Sequence, residues 1–182
     1  MIQIMYEDFI EHLIGIPHKQ RGLVQGSYLF HQSDPVEAIF VVDEGSVELI
    51  RHQRDGGSIV LQRASARAIV AEASLYSESY HCDAVVTLPT VVFEWSKGIL
   101  IKRLEEDKGF ANLWAAHLAR EVQSARGQIE ILSQKTVAER LDGWLAWQGN
   151  NLPSKGGWKE VARQIGVSPE ALYRELAKRR PK

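Results

Sequence analysis

Apolar and polar positions change their period three times along this chain. Near the start, Phe9, Ile10, Leu13 and Ile14 share one helical face, and Gly15 and Pro17 end it, which predicts a short amphipathic helix within residues 1–20. From about residue 22 to 96 the apolar residues come in short runs: Tyr28 to Phe30, Ala38 to Val42, Val47 to Ile50, Ile59 to Leu61, Ala84 to Val86 and Val91 to Phe93. Asp34-Pro35, Glu44-Gly45 and Asp55-Gly56-Gly57 punctuate them as turns. Closely spaced strands of this kind predict a double-sheet β-roll. One stretch between strands, Val70 to Tyr76, reads as a one- or two-turn helix, set where a ligand-gripping insertion can sit.

From about 98 to 134 the pattern is helical and long. Leu118, Val122, Ala125, Ile129, Leu132 and Thr136 recur at spacings of four and three, the seam of a coiled coil. Phe110, Leu113 and Trp114 can pack the start of this helix onto the roll. The apolar stripe outlasts what one small roll can cover, so a second copy across a two-fold axis is expected against it; the bland alternative is a surface helix over its own core. Gly127 weakens the seam locally. A helix around 137–147 opens a further domain, and the glycine-rich stretch 149–157 is a loose connection. Trp144 and Trp147 read as core or interface residues.

The last quarter carries the clearest chemistry. Trp158, Val161, Ala162 and Ile165 form an apolar stripe at i, i+3, i+4 and i+7, and Gly166 follows as a helix terminator. Ser168 then stands at an N-cap position, with Pro169 at the first helical site and Glu170 in the first turn. Leu172 and Leu176 face inward; Ser168, Glu170, Arg174 and Lys178 line another face. Two short helices with a cationic second member suit the major groove of DNA. There Arg174 donates to a guanine edge and Glu170 accepts from a cytosine amine, while Arg163, Lys178, Arg179, Arg180 and Lys182 hold phosphates. The alternative is an exposed Glu170–Arg174 ion pair on an ordinary helical hairpin.

Charge and composition sharpen this reading. The 182 residues carry a net −1, but residues 133–182 hold ten Lys or Arg against five Asp or Glu, and residues 1–132 hold twelve against eighteen. A basic end fits a nucleic-acid partner and the acidic body does not. With one cysteine, Cys82, and no signal peptide or spanning segment in view, a reducing cytoplasm and no membrane association are expected. The expected class is α+β: an N-terminal double-stranded, jelly-roll-like β-roll over 1–98, a dimerisation helix over 99–135 and a helix-turn-helix over 136–182.

That order of elements resembles the Crp/Fnr family of bacterial transcription regulators, over nearly the whole chain. The marks are Gly26-Ser-Tyr-Leu-Phe-His-Gln-Ser-Asp-Pro35, Ile39-Phe-Val-Val-Asp-Glu-Gly-Ser-Val-Glu-Leu49 and Ala71-Glu-Ala-Ser-Leu-Tyr76. The resemblance implies a homodimer whose roll, like a cyclic nucleotide-binding domain, senses a small-molecule effector. It further implies heads that read palindromic double-stranded DNA near promoters, with RNA polymerase as a further partner. By position Ser168, Glu170 and Arg174 match the base-reading residues, and Pro169 stands where many members carry arginine. In the effector pocket Glu72 matches the ribose-holding glutamate, preceded by Ala71 and followed by Ser74. Cys82-Asp83 replaces the Arg-Ser/Thr pair that holds the cyclic phosphate, so cyclic AMP is not expected to bind in the usual way. The family's terminal β-hairpin wing has no counterpart before Lys182, which the basic tail replaces in part or which weakens DNA binding.

Other chemistry is less favoured. Tyr80-His81-Cys82-Asp83 holds metal-ligand types, but on a strand His81 and Asp83 point one way and Cys82 the other, so His31, His52 or Glu72 would have to complete a site. No cofactor is expected; a haem or metal sensor and a redox-sensing Cys82 are the minor alternatives, and one cysteine does not hold an iron–sulfur cluster. Neither a nucleophile–base constellation nor a phosphate-binding glycine loop is present, so an enzyme is not expected. The runner-up from another class is an effector-binding or protein-interaction module that has lost specific DNA reading.

Overall fold

In the computed structural model, which describes residues 9–54 and 56–179, the chain is helical over 9–14 (α1) and turns at Gly15 and Ile16. Phe9, Ile10 and Leu13 are fully buried, as their shared face requires. Strands follow at Lys19–Leu23 (β1), Tyr28–Phe30 (β2), Ala38–His52 (β3), Ser58–Ser65 (β4), Ile69–Val70 (β5) and Asp83–Ser96 (β6). They form one antiparallel sheet in the order β1-β6-β3-β4, with β2 also on β6 and β5 on β3. The domain is jelly-roll-like and is followed by helices, in an α+β chain.

The expected turn at Glu44-Gly45 is instead an irregularity inside β3. The register against β6 shifts at Val42/Glu44 and again at Glu44/Ser46, and Gly45 has φ 92°. A bulge there bends a fifteen-residue strand without breaking it, so two apolar runs fuse into one element. Its first five residues are all buried; from Val47 burial alternates as one face turns outward. β1, Lys19-Gln-Arg-Gly-Leu23, has no apolar alternation to mark it in the sequence; backbone pairing with β6 and the Arg21–Glu94 ion pair at 2.7 Å hold it as a strand.

The expected single helix over 98–134 is two: α2 (Lys97–Glu106) and α3 (Lys108–Ser133). Asp107 separates them with extended dihedrals, and its Oδ1 accepts from Phe110 N–H at 3.0 Å. That hydrogen bond and Arg103 at 2.7 Å hold the Asp107 carboxyl below the usual carboxylate range, the signature of a helix-starting carboxylate. Phe110 and Trp114 are buried against Phe9, whose ring also stacks on His117 at 5.3 Å.

The chain divides into two compact units, 1–117 and 118–182. The second contains the rest of α3, then α4 (Val137–Trp147), a 3-10 turn (Lys155–Gly157), α5 (Trp158–Gln164) and α6 (Pro169–Lys178). Its core is Ile131, Leu141, Trp144, Val161, Ala162, Ile165 and Leu172. Thr136, expected in the seam, lies beyond α3 and caps α4: its Oγ1 accepts from Glu139 N–H, and the Glu139 carboxylate accepts from Thr136 N–H at 2.9 Å. No helix among the described residues is long and apolar enough to cross a membrane.

Candidate nucleic-acid interface and sensor site

In the second unit the turn between α5 and α6 is built from backbone chemistry. Gly166 takes φ 65°, and a Cβ there would meet Leu132 Cδ2 at 2.8 Å. Val167 N–H donates to Ala162 O at 2.9 Å, closing the end of α5. Ser168 takes an extended conformation, its Oγ accepts from Ala171 N–H at 3.2 Å, and Pro169 occupies the first turn. Four polar side chains from earlier helices, or from α5 itself, then pin this turn. Arg140 donates to Ile165 O at 3.2 Å and to Gly166 O at 3.1 Å. Gln128 donates to Gln164 O, and Trp144 Nε1 donates to Gln164 Oε1 at 2.7 Å. Sequence reading did not find Gln128, Arg140 or Gln164, since a polar residue on an amphipathic helix carries no sign of its distant acceptor.

With Leu172 fully buried, α6 turns Glu170, Arg174 and Lys178 to solvent. Among the described residues no ion pair joins Glu170 to Arg174; the arginine Nε reaches only the Glu170 carbonyl, at 3.5 Å. Lys178 lies 3.8 Å from Glu175 and is 76% exposed. Arg163 pairs with Glu160 on its own helix. Arg179 is the most committed: it donates to Asp142, to Glu175 at 2.8 Å and to Ala138 O at 3.1 Å. Those carboxylates push its pKa up. Arg180 and Lys182 lie outside the described residues.

In the first unit, Val70 to Tyr76 is shorter in helix than expected. Val70 ends β5, and only Glu72–Ser74 makes a 3-10 turn. Ala71 is buried at φ 74°, a left-handed conformation that suits glycine and strains any other residue. Ser74 is buried, with Oγ 3.2 Å from His81 Nδ1. β6 begins only at Asp83, so the alternation expected through His81, Cys82 and Asp83 does not apply: Cys82 and Asp83 are both buried and His81 is exposed.

Asp83 Oδ1 accepts from Gln32 N–H at 2.9 Å and lies 3.3 Å from His31 Nδ1, while Oδ2 lies 3.5 Å from His52 Nε2. Arg51 reaches over the start of β6 and donates to His81 O at 3.0 Å. Burial pushes the Cys82 thiol up; Arg51 opposes this, and Asp83 and Glu72 add to it. Burial and a raised pKa both disfavour the thiolate that a redox-sensing Cys82 would need. Although His81 is exposed as a residue, its Nδ1 lies against the buried Ser74 hydroxyl, and partial desolvation of the ring lowers its pKa, as does Arg51. Glu72 and Asp83 both lie near enough to Cys82 to act on its thiol, as does Arg51 from β3. No cluster of three or more His, Cys, Asp or Glu among the described residues is arranged to hold a metal ion.

Comparison with known proteins now bears on both units. Residues 20–107 match the cyclic nucleotide-binding domain. The match begins in β1 and ends at Asp107, where α2 ends. Among solved structures, FixK2 from Bradyrhizobium japonicum superimposes with a TM-score of 0.70 at 20% identity, covering 90% of this chain and 84% of that one. The c-di-GMP-responsive global regulator CLP of Xanthomonas campestris gives 0.65 at 19%, covering 94% and 90%. The Thermus thermophilus catabolite activator protein gives 0.54 at 20%, covering 96% and 81%. At these identities the likeness establishes the fold, roll and helices together. No curated protein matches the chain by sequence.

Proposed function

We propose that the chain is a homodimeric, DNA-binding transcription regulator of the Crp/Fnr type, with α5 and α6 as its helix-turn-helix. The observation that carries this is α6 itself: capped by Ser168, anchored by Leu172, and presenting Glu170 and Arg174 outward with their charges not spent on each other. A guanidinium free to donate two hydrogen bonds suits a guanine edge, and a free carboxylate suits a cytosine amine. The likeness to the catabolite activator and to CLP supports the same reading. Arg163, Lys178 and Arg180 contribute phosphate contacts; Arg163 must exchange Glu160 for the backbone to do so. Arg179, held by two carboxylates, acts by fixing α6 to α4 and is withdrawn from the phosphate set.

The effector enters the roll at Glu72, with Ala71, Ser74, Cys82 and Asp83 around it, and acts by binding one head geometry better than the other. Cyclic AMP is not that effector. No arginine stands at position 82, and the Asp83 carboxylate repels a phosphate by about 1 kcal/mol or more at an effective dielectric near 20. A calorimetric titration should show no micromolar affinity for cyclic AMP.

The direct test is fluorescence anisotropy against the region upstream of the chain's own gene. Specific binding should fall steeply with salt and drop at least about fivefold in Arg174→Ala, a loss of about 1–3 kcal/mol. A second reading, an effector or protein-interaction module that no longer reads DNA, draws support from Arg163 and Arg179 being paired within the protein. Salt-insensitive absence of binding would favour that reading and sink the first.

A further inference from the structure

Where α1 ends against α2, a cavity of about 410 Å3 lies open on the first unit, within the span of small-molecule sites. One wall is the α1 terminus: His12, the bare backbone of Gly15, then Ile16 and Pro17. This wall is rigid, because the Ile16 carbonyl accepts from His18 Nδ1 at 2.9 Å and from Trp95 Nε1 at 3.2 Å. The other wall is one face of α2: Ile99, Lys102, Arg103 and Glu106 fall at i, i+3, i+4 and i+7. The core residue of this helix is Leu100, on a different face, so the stripe spends nothing on the protein's own interior.

That stripe grades from apolar to charged. Ile99 is 41% exposed on the cavity floor beside Ile16 and Pro17. One turn further on, Lys102 is 72% exposed and only 3.8 Å from Glu106, a loose, solvent-screened pair that a ligand can displace. Arg103 is tied more closely to Asp107, at 2.7 Å, whose carboxylate also serves Phe110 N–H. The lining therefore holds an apolar floor, three basic side chains and one acid. We propose that this groove binds a medium-chain carboxylate. Its alkyl chain lies on Ile16, Pro17 and Ile99, and its carboxylate meets Lys102, with Arg103 as the second cation. The lining shares no residue with the Glu72 region, and the proposal does not depend on DNA reading.

Isothermal titration of the full chain with sodium decanoate, 1-decanol and decylamine, each below its aggregation limit, tests it. Decanoate should bind saturably at one per chain, at least tenfold tighter than decanol. Ile99→Asp should abolish binding of decanoate. Lys102→Glu should reverse the order, so that decylamine binds better than decanoate; both positions are exposed, and unchanged circular dichroism confirms folding. No saturable decanoate binding, or an affinity the same in Lys102→Glu as in the parent, would overturn the proposal.

Discussion

Single residues in this protein are chosen for the backbone or charge they make tolerable. Gly166 and Ser168 end one helix and begin the next, while Ala71 is held left-handed in the buried site at a cost. His81 has a linked consequence in pH. Its pKa is below the ordinary imidazole value when folded, so between the two values the unfolded chain binds more protons and stability rises with pH. The contribution is complete above about 6.5 and is lost as pH falls below that toward the folded value. Wild-type protein should therefore lose more thermal stability than His81→Asn between about pH 7.5 and 5.5. Parallel melting curves for the two would show that desolvation of the His81 ring does not matter.

At the scale of elements, two long segments were divided differently from what periodicity suggests. β3 stays whole through Gly45, and a Cβ there would run into Pro89 O and Thr90 Oγ1 and lie 2.7 Å from Thr90 Cα. With φ 92° added, Gly45→Ala should cost at least about 2 kcal/mol in urea unfolding. An unchanged midpoint would mean that the bulge is not needed. The helical segment splits at Asp107 because a carboxylate capping Phe110 N–H competes with helix continuation. Glu44-Gly45 carries the local signals of a turn, so the sequence suggests a break that pairing with β6 overrides, whereas apolar periodicity runs past Asp107 unmarked. The α5–α6 unit was read to the residue, since caps, terminators and inward faces are all local signals.

At the scale of the whole molecule, α3 carries a row of exposed apolar side chains. On α3, Val122 is 47%, Ile129 63% and Leu132 40% exposed, while Ile131, not part of the expected seam, supplies the buried anchor of the second unit. Under the homodimeric reading proposed above, a second α3 would cover this row of exposed apolar residues at heptad-like spacing. Ile129 is the position to test, because Leu132 also approaches Gly166. Sedimentation velocity should show a dimer for the parent chain, and Ile129→Asp should shift it to monomer with an unchanged helical spectrum. A monomer at the outset would remove the two-headed arrangement on which palindromic recognition rests.

The chain's order of roll, helix and terminal hairpin was set by hydrophobic period and turn chemistry, which act between near neighbours and can be read without coordinates. The same holds for Ser168, Glu170 and Arg174, whose places follow from helix geometry alone. What tertiary structure decided is which charges remain available. Arg179 and Arg174 each have a glutamate four residues earlier, Glu175 and Glu170, but only folding brings Asp142 from α4 to Arg179, and it leaves Arg174 open. Likewise only packing places Arg51 beside Cys82, settles His31 and His52 against Asp83, and opens a cavity between α1 and α2. Beyond one helical turn, electrostatic partners are set by distance through space, and no pattern along a chain encodes that distance.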